Sequence, residues 1–249
     1  MRMSRYGRVA AFLLISLIAM SVAAAAADYA GDPYYVTNGW DGRRYSAMSI
    51  LRIMPDDDGG SDVGAGVEVL ARDGLTITNS SVRVRPQLFL DGSLWATDGW
   101  HYSAGNDNGL YAEYFTYFVS RHGNVFSRAR FGFYNGTGYT DYNAEETRTI
   151  AVNSVRNRAA TNEAPIQEEF GINLNGQTYG SGWGEETPEL IKAIGAGGVH
   201  GYVYNAELMA LGDKDSPDDI AADIPDSIPL YDVDGTTVIG EFLIGCLNE

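Results

Sequence analysis

Only one of the 249 residues is a cysteine, Cys246, three positions from the C-terminus. No internal disulfide can form, so stability has to come from a packed core, and a chain of this length can bury one. Cys246 ends an apolar, strand-like run, which points to a buried, inert thiol. Histidine is nearly as scarce. His101, His122 and His200 stand far apart with no cysteine beside them, so no zinc centre is expected. Gly-x-Ser-x-Gly is missing, which removes a nucleophile elbow, and no Gly-rich loop with a lysine precedes a helix to cradle phosphate. Gly180-Ser-Gly-Trp-Gly184 reads as a tight loop after a hairpin. Beyond residue 27 no apolar run is long enough to span a bilayer. Positive charge is also short: 17 basic residues face 33 acidic ones, a net charge of −16.

The first 27 residues differ from the rest. Arg2, Arg5 and Arg8 precede an apolar stretch, and Ala23 to Ala27 lead up to Asp28. A positive start, an apolar middle and a small-residue end make an export signal, with cleavage expected after Ala25, Ala26 or Ala27. An uncleaved anchor is the alternative, because residues 9–27 approach bilayer length. Without the leader, 14 basic and 33 acidic residues remain, a net charge of −19. That surface argues against nucleic acid and against anionic lipid, so after cleavage no membrane association is expected. An exported protein without disulfides suits a bacterial source.

Alternation at period 2 dominates the mature chain. In residues 81–90, Val82, Val84, Leu88 and Leu90 fall on one side and Arg83, Arg85 and Gln87 on the other, a half-buried strand. Residues 125–134 alternate similarly, and residues 45–54 and 110–120 have strong strand propensity. Asp91-Gly92, Asn135-Gly136 and Asn175-Gly176 supply hairpin turns. Residues 28–39 read as an irregular lead-in, and Asp56-Asp-Asp-Gly-Gly-Ser-Asp62 as a solvated turn. One helix is expected, capped by Thr187, opened by Pro188 and Glu189 and stopped by Gly195; residues 199–208 then read as a strand. The expected fold is mainly β: an antiparallel β-sandwich or barrel, then a small α+β module with one short helix. The boundaries are a signal peptide over 1–27, a β-rich domain over 28–150, a polar linker over 151–169 and the module over 170–249.

Two sets of residues carry candidate chemistry. Trp95, Trp100 and Tyr102 lie within eight positions of one hairpin; exposed aromatics stack on sugar rings or anchor protein partners, whereas buried ones fill the core. Asp213, Asp215, Asp218 and Asp219 offer clustered oxygen ligands, so a structural calcium ion is the one metal that the pattern admits. The cluster lacks the central glycine and terminal glutamate of a full calcium loop, and a solvated acidic loop is the alternative. Glu113, Glu145 and Glu146 could supply paired carboxylates for glycoside hydrolysis, as could the acids of any such chain.

The tail has a cadence of its own: Asn175-Gly-Gln-Thr-Tyr-Gly-Ser181, Pro188-Glu-Leu-Ile-Lys-Ala-Ile-Gly195, Gly201-Tyr-Val203 and Ile228-Pro-Leu-Tyr-Asp-Val-Asp-Gly-Thr-Thr-Val-Ile-Gly240. It resembles a C-terminal region of uncharacterised secreted proteins of Gram-positive bacteria, and the extracytoplasmic tail of some antibiotic-sensor-type membrane zinc peptidases. Phe131-Gly-Phe-Tyr-Asn-Gly-Thr-Gly-Tyr139 resembles the strand-rich half of other such secreted proteins. The resemblance implies compartment and source. It implies no chemistry, because His-Glu-x-x-His is absent. The favoured reading is a secreted, non-enzymatic protein that binds cell-envelope glycan or a protein partner through exposed aromatics. The alternatives are a carboxylate-dependent extracellular hydrolase and a structural accessory of a membrane partner.

Overall fold

The computed structural model describes residues 27–38, 40–55, 61–105, 109–116, 123–152, 169–182 and 186–245, with the backbone alone for 55 and 110–116. The expected leader up to residue 26, residues 56–60 of the expected acidic turn, His122, residues 153–168 of the expected linker and Cys246 lie outside the described residues.

Among the described residues there are nineteen strands. The first nine are β1 (Ala27–Ala30), β2 (Tyr34–Thr37), β3 (Arg44–Pro55), β4 (Ser61–Ala71), β5 (Val82–Arg85), β6 (Gln87–Leu90), β7 (Ser93–Thr97), β8 (His101–Tyr102) and β9 (Gly109–Thr116). Next come β10 (Gly123–Ser127), β11 (Arg130–Tyr134), β12 (Tyr139–Asn143), β13 (Ile150–Val152), β14 (Phe170–Ile172), β15 (Thr178–Gly180), β16 (Leu190–Ile194) and β17 (His200–Tyr204). Helix α1 (Asn205–Ala210) then precedes β18 (Ser227–Tyr231) and β19 (Val238–Leu243). The class is therefore mainly β with one short α-helix, as expected. The strands form open sheets of five, ten and four strands, and none closes into a barrel.

The five-stranded sheet is built on the long β3–β4 pair, with β1 and β2 side by side on the far edge of β3. Alternation sends Tyr45, Ala47, Leu51, Val63, Ala65, Val67 and Val69 to its inner face. That face is long enough to cover two other sheets. Val67 and Val69 pack on Val82, Val84, Phe131 and Phe133 of the four-stranded sheet. Leu51, Val63 and Ala65 pack on Leu88, Leu90, Trp95 and Val125 of the ten-stranded sheet. Both neighbouring sheets are fed by the same segments. β5 passes into β6 at Pro86, and β10 into β11 at Arg128–Ala129. The expected single strand over 81–90 is thus two strands in different sheets. Proline lacks the N–H that a continuous ladder needs.

The ten-stranded sheet crosses the boundary expected at 151–169. β16 pairs in parallel with both β15 and β7, so residues 170–249 complete a sheet begun by residues 87–127. A third core of Phe89, Phe126, Ile191, Val203, Leu208, Leu230 and Phe242 fills the opposite face.

Three local expectations are corrected. The lead-in 28–39 contains β1 and β2. Residues 188–195 hold strand β16, not a helix. Leu190, Ile191, Ala193 and Ile194 are all buried, the pattern of an interior strand covered on both faces, and packing outweighs the local helix-start pattern. Glu189 does not serve a helix dipole: its carboxylate accepts the backbone N–H of Thr178 at 2.9 Å, and its own N–H donates to Thr178 Oγ1 at 2.9 Å. The helix lies instead at 205–210, in the second half of the expected strand 199–208. Six residues are too few to hold a helix in isolation. α1 persists because Leu208 is buried in the third core and because arginines from β5 and β11 grip both of its ends.

Candidate functional site

The outer face of the four-stranded sheet is where both candidate sets meet. On β5, Val82 and Val84 point to the core, so Arg83 and Arg85 point the other way. The register places Arg85 opposite Arg130 and Arg83 opposite Gly132 on β11, and Gly132 opposite Asp141 on β12. A half-buried strand would leave this face in water. Here α1 and the loop after it cover the face, so Arg83 and Arg85 are buried; Gln87, at the start of β6 in the ten-stranded sheet, is buried too, which corrects the half-buried expectation.

Arg83 is the hub of the layer. Its guanidinium makes a two-pronged contact with Asp141, Nε at 2.9 Å and one terminal nitrogen at 2.8 Å, and the other terminal nitrogen donates to Asp213. It lies 4.2 Å from the Trp100 ring centroid and 4.5 Å from that of Tyr139. Burial works against its charge, but Asp141, backed by Asp213, prevails and holds its pKa above the usual arginine value. Gly132 makes the pair possible: a Cβ there would collide with the Asp141 carboxylate that reaches across it to Arg83. Arg85 sits 4.9 Å from the same Trp100 ring and donates to the Leu208 carbonyl near the C-terminal end of α1, where a cation is favourable.

The structure settles where each candidate lies. Trp95 is 5% exposed and Trp100 4%, so neither forms an exposed stacking platform. Trp95 belongs to an interior strand flanked by β6 and β16. Trp100 is roofed by its own Nε1–H donation to the Met209 carbonyl at 3.1 Å. Tyr102 is half-buried, donates to the Gly212 carbonyl at 3.0 Å and lies under the Lys214 ammonium at 4.3 Å. Burial raises its pKa. Of the four aspartates, Asp213 turns inward to Arg83, while Asp215, Asp218 and Asp219 stay exposed. Asp213, Asp215 and Asp219 share a broad depression with Lys214 and Ile220. Among the described residues no three His, Cys, Asp or Glu side chains converge to hold a metal ion. Trp100, Tyr102 and Asp213 thus come together, with an arginine as the cation between the acids.

His101 pairs with Asp98 at 2.9 Å. Burial acts against the Asp98 charge, yet the His101 hydrogen bond leaves its pKa lowered.

A second cluster was invisible in the sequence. Where β2 pairs with β3, Tyr35, Val36, Thr37, Arg44, Tyr45 and Arg72 line a groove of about 420 Å³; Tyr45 belongs to the core beneath it, and Tyr35, Arg44 and Arg72 are exposed. β2 forms its rim as an edge strand. Tyr35 is 62% exposed and carries the Arg72 guanidinium 5.3 Å from its ring centroid. Neighbouring Arg43 is fixed by a two-pronged contact with Asp73 at 2.8 Å and by the Leu75 and Thr76 carbonyls. Arg44 and Arg72 are exposed, and no carboxylate among the described residues pairs with either. The only advance sign was Arg43-Arg44 and Arg72 in an acidic chain, which becomes a cluster only once β3 and β4 pair.

Comparison with protein-family models, curated proteins and solved structures gives no match. Among the described residues no helix is long and apolar enough to cross a membrane.

Proposed function

We propose that the chain without its leader is a secreted, non-catalytic binding protein of the cell envelope, and that its ligand seat is the Tyr35–Arg44–Arg72 groove. The favoured ligand is a glycan whose sugar carries a carboxylate. One observation carries this reading: in a chain of net charge −16, an exposed aromatic and two arginines without acidic partners line one groove. The ring offers an apolar face to a sugar, and arginine's planar fork suits a carboxylate. The export leader and the tail's likeness to extracytoplasmic regions support the compartment.

The test is retention of the protein comprising residues 28–249 on insoluble peptidoglycan and on a panel of neutral and uronic-acid polysaccharides. Saturable retention on the acidic polymers, competed by soluble uronate and lost in Tyr35→Ala and Arg72→Ala, is expected. Equal retention by the variants sinks the assignment to this groove.

A second reading has its own observation. Phe170, Ile172 and Leu174 stand exposed on the edge hairpin of the tail, a surface suited to docking on a membrane partner. Crosslinking in the native envelope that survives Ile172→Asp and Leu174→Asp rules out that face.

A further inference from the structure

The covered face of the four-stranded sheet has more positive than negative charge. Asp141 and Asp213 are the carboxylates acting on Arg85, and Arg83 engages both. Arg85 has no acid of its own. It is 0% exposed and sits directly across the β5–β11 ladder from a second cation, Arg130. Its terminal nitrogens donate to the Leu208 carbonyl and, at 3.3 Å, to Met209 Sδ, neither of which bears a charge. Arg130 donates to the Asn205 side-chain oxygen at 3.1 Å. The Nε–H groups of both arginines are closed off from solvent and have no acceptor among the described residues. Burial, with the Arg130 charge added to it, pulls the Arg85 pKa down to about 9, still above neutral pH, and burial lowers that of Arg130 as well.

Like charges directly opposite on a sheet repel, and a buried donor without an acceptor costs about 1–3 kcal/mol. A negative charge between the two Nε–H groups removes both penalties at once. We propose that Arg85 and Arg130 hold a small inorganic anion, chloride-sized, between their Nε atoms, beneath α1 and beside Trp100. The two side chains rise from paired backbone positions roughly 5 Å apart. This site is separate from the exposed Tyr35 groove and lies on a different sheet. Its role is structural: the anion completes the grip of β5 and β11 on α1.

The test is thermal unfolding of the protein comprising residues 28–249 at constant ionic strength, with gluconate exchanged stepwise for chloride. A saturable rise in melting temperature of roughly 2–4 °C is expected, the size that mass action on one native-state site produces. Arg130→Gln keeps the side-chain bulk and removes the charge; it should lose the chloride response. A melt that follows ionic strength alone, or a folded Arg130→Gln protein that responds like the parent, overturns the proposal. Should Arg130→Gln not fold, crystals of the parent protein soaked in bromide decide the matter. An anomalous peak between the two Nε atoms supports the site, and bromide found only elsewhere on the surface overturns it.

Discussion

Two arginine–aromatic clusters in this protein use the same side chains to opposite ends. In the layer under α1, Arg83 is enclosed by Trp100, Tyr139, Asp141 and Asp213, and each of its three guanidinium nitrogens donates to a carboxylate. In the groove, Arg72 lies on Tyr35 and is exposed, and Arg44, also exposed, has no acid partner among the described residues. The difference comes from what covers each sheet face. A covered guanidinium becomes part of the packing, where every N–H left without an acceptor is costly. An uncovered one needs no partner and stays available to a ligand.

The largest expected break is at the layer. Trp100→Ala removes a buried ring, the partner of two guanidinium groups and a hydrogen bond to Met209. It should cost about 3–5 kcal/mol in denaturant unfolding. A cost under about 1 kcal/mol means that α1 does not depend on this ring. Asp141→Asn comes next. Removing one member of a buried ion pair costs about 3–5 kcal/mol, but Asp213 remains as a second acid, so about 2–3 kcal/mol is expected. Asp213→Asn should cost less than Asp141→Asn, because its side chain is more exposed. The reverse order shows that the loop contact, not the sheet pair, anchors Arg83.

Extremes of pH should separate the two clusters further. Burial raises the pKa of Tyr102 and Tyr139 in the layer, and burial beside Glu169 raises that of Tyr202 to about 12. A group held protonated by the fold contributes stability that is fully present below its ordinary value of 10.0 and lost as pH rises through the folded value. Alkali between pH 10 and about 12 should therefore loosen the Tyr202 region, and alkali above pH 10 the layer, seen as tyrosinate absorbance rising together with loss of near-ultraviolet dichroism. Tyrosinate forming at pH 10 without that loss contradicts the burial account. Next to the groove, hydrogen bonding to Arg43 lowers the Asp73 pKa to about 2 from the ordinary 3.8. Here the sign reverses: the contribution is present above 3.8 and is lost as pH falls towards 2. Carboxyl-resolved NMR should show Asp73 titrating after most surface acids; titration with the bulk means that the Arg43 contact is not held in solution.

The smallest effect on stability belongs to the groove. Tyr35→Ala and Arg72→Ala should change unfolding free energy by no more than about 0.5 kcal/mol, as exposed substitutions do. A larger loss marks these residues as part of the packing and weakens their assignment to a ligand.

Legibility in the sequence was uneven for identifiable reasons. Asp91-Gly92 reads correctly as a two-residue turn, and both residues take positive φ, 48° and 78°. The β18–β19 hairpin and the β14–β15 turn at Asn175-Gly176 follow the same local chemistry. Strand β4 escaped notice because its outward positions include Gly64, Gly66 and Leu70, which give no polar beat against Val63, Ala65 and Val67. The 188–195 segment misled because Pro188 and Gly195 do punctuate it, but they bound a buried strand. Of the two alternatives that the candidate aromatics left open, Trp95 and Trp100 take the core, and Tyr102 is half-buried.

By itself the sequence determined the composition, the acidity and a mainly β chain punctuated by tight turns. Those properties are local: period-2 alternation and turn dipeptides act over a few residues. Only the tertiary structure decided that Arg83 and Arg85 are covered, that Trp95 and Trp100 are core and that Tyr35, Arg44 and Arg72 share one open groove. Alternation shows which side chains lie on the same face of a strand. Whether that face meets water, another sheet or a helix depends on segments more than a hundred residues away, as α1 is from β5.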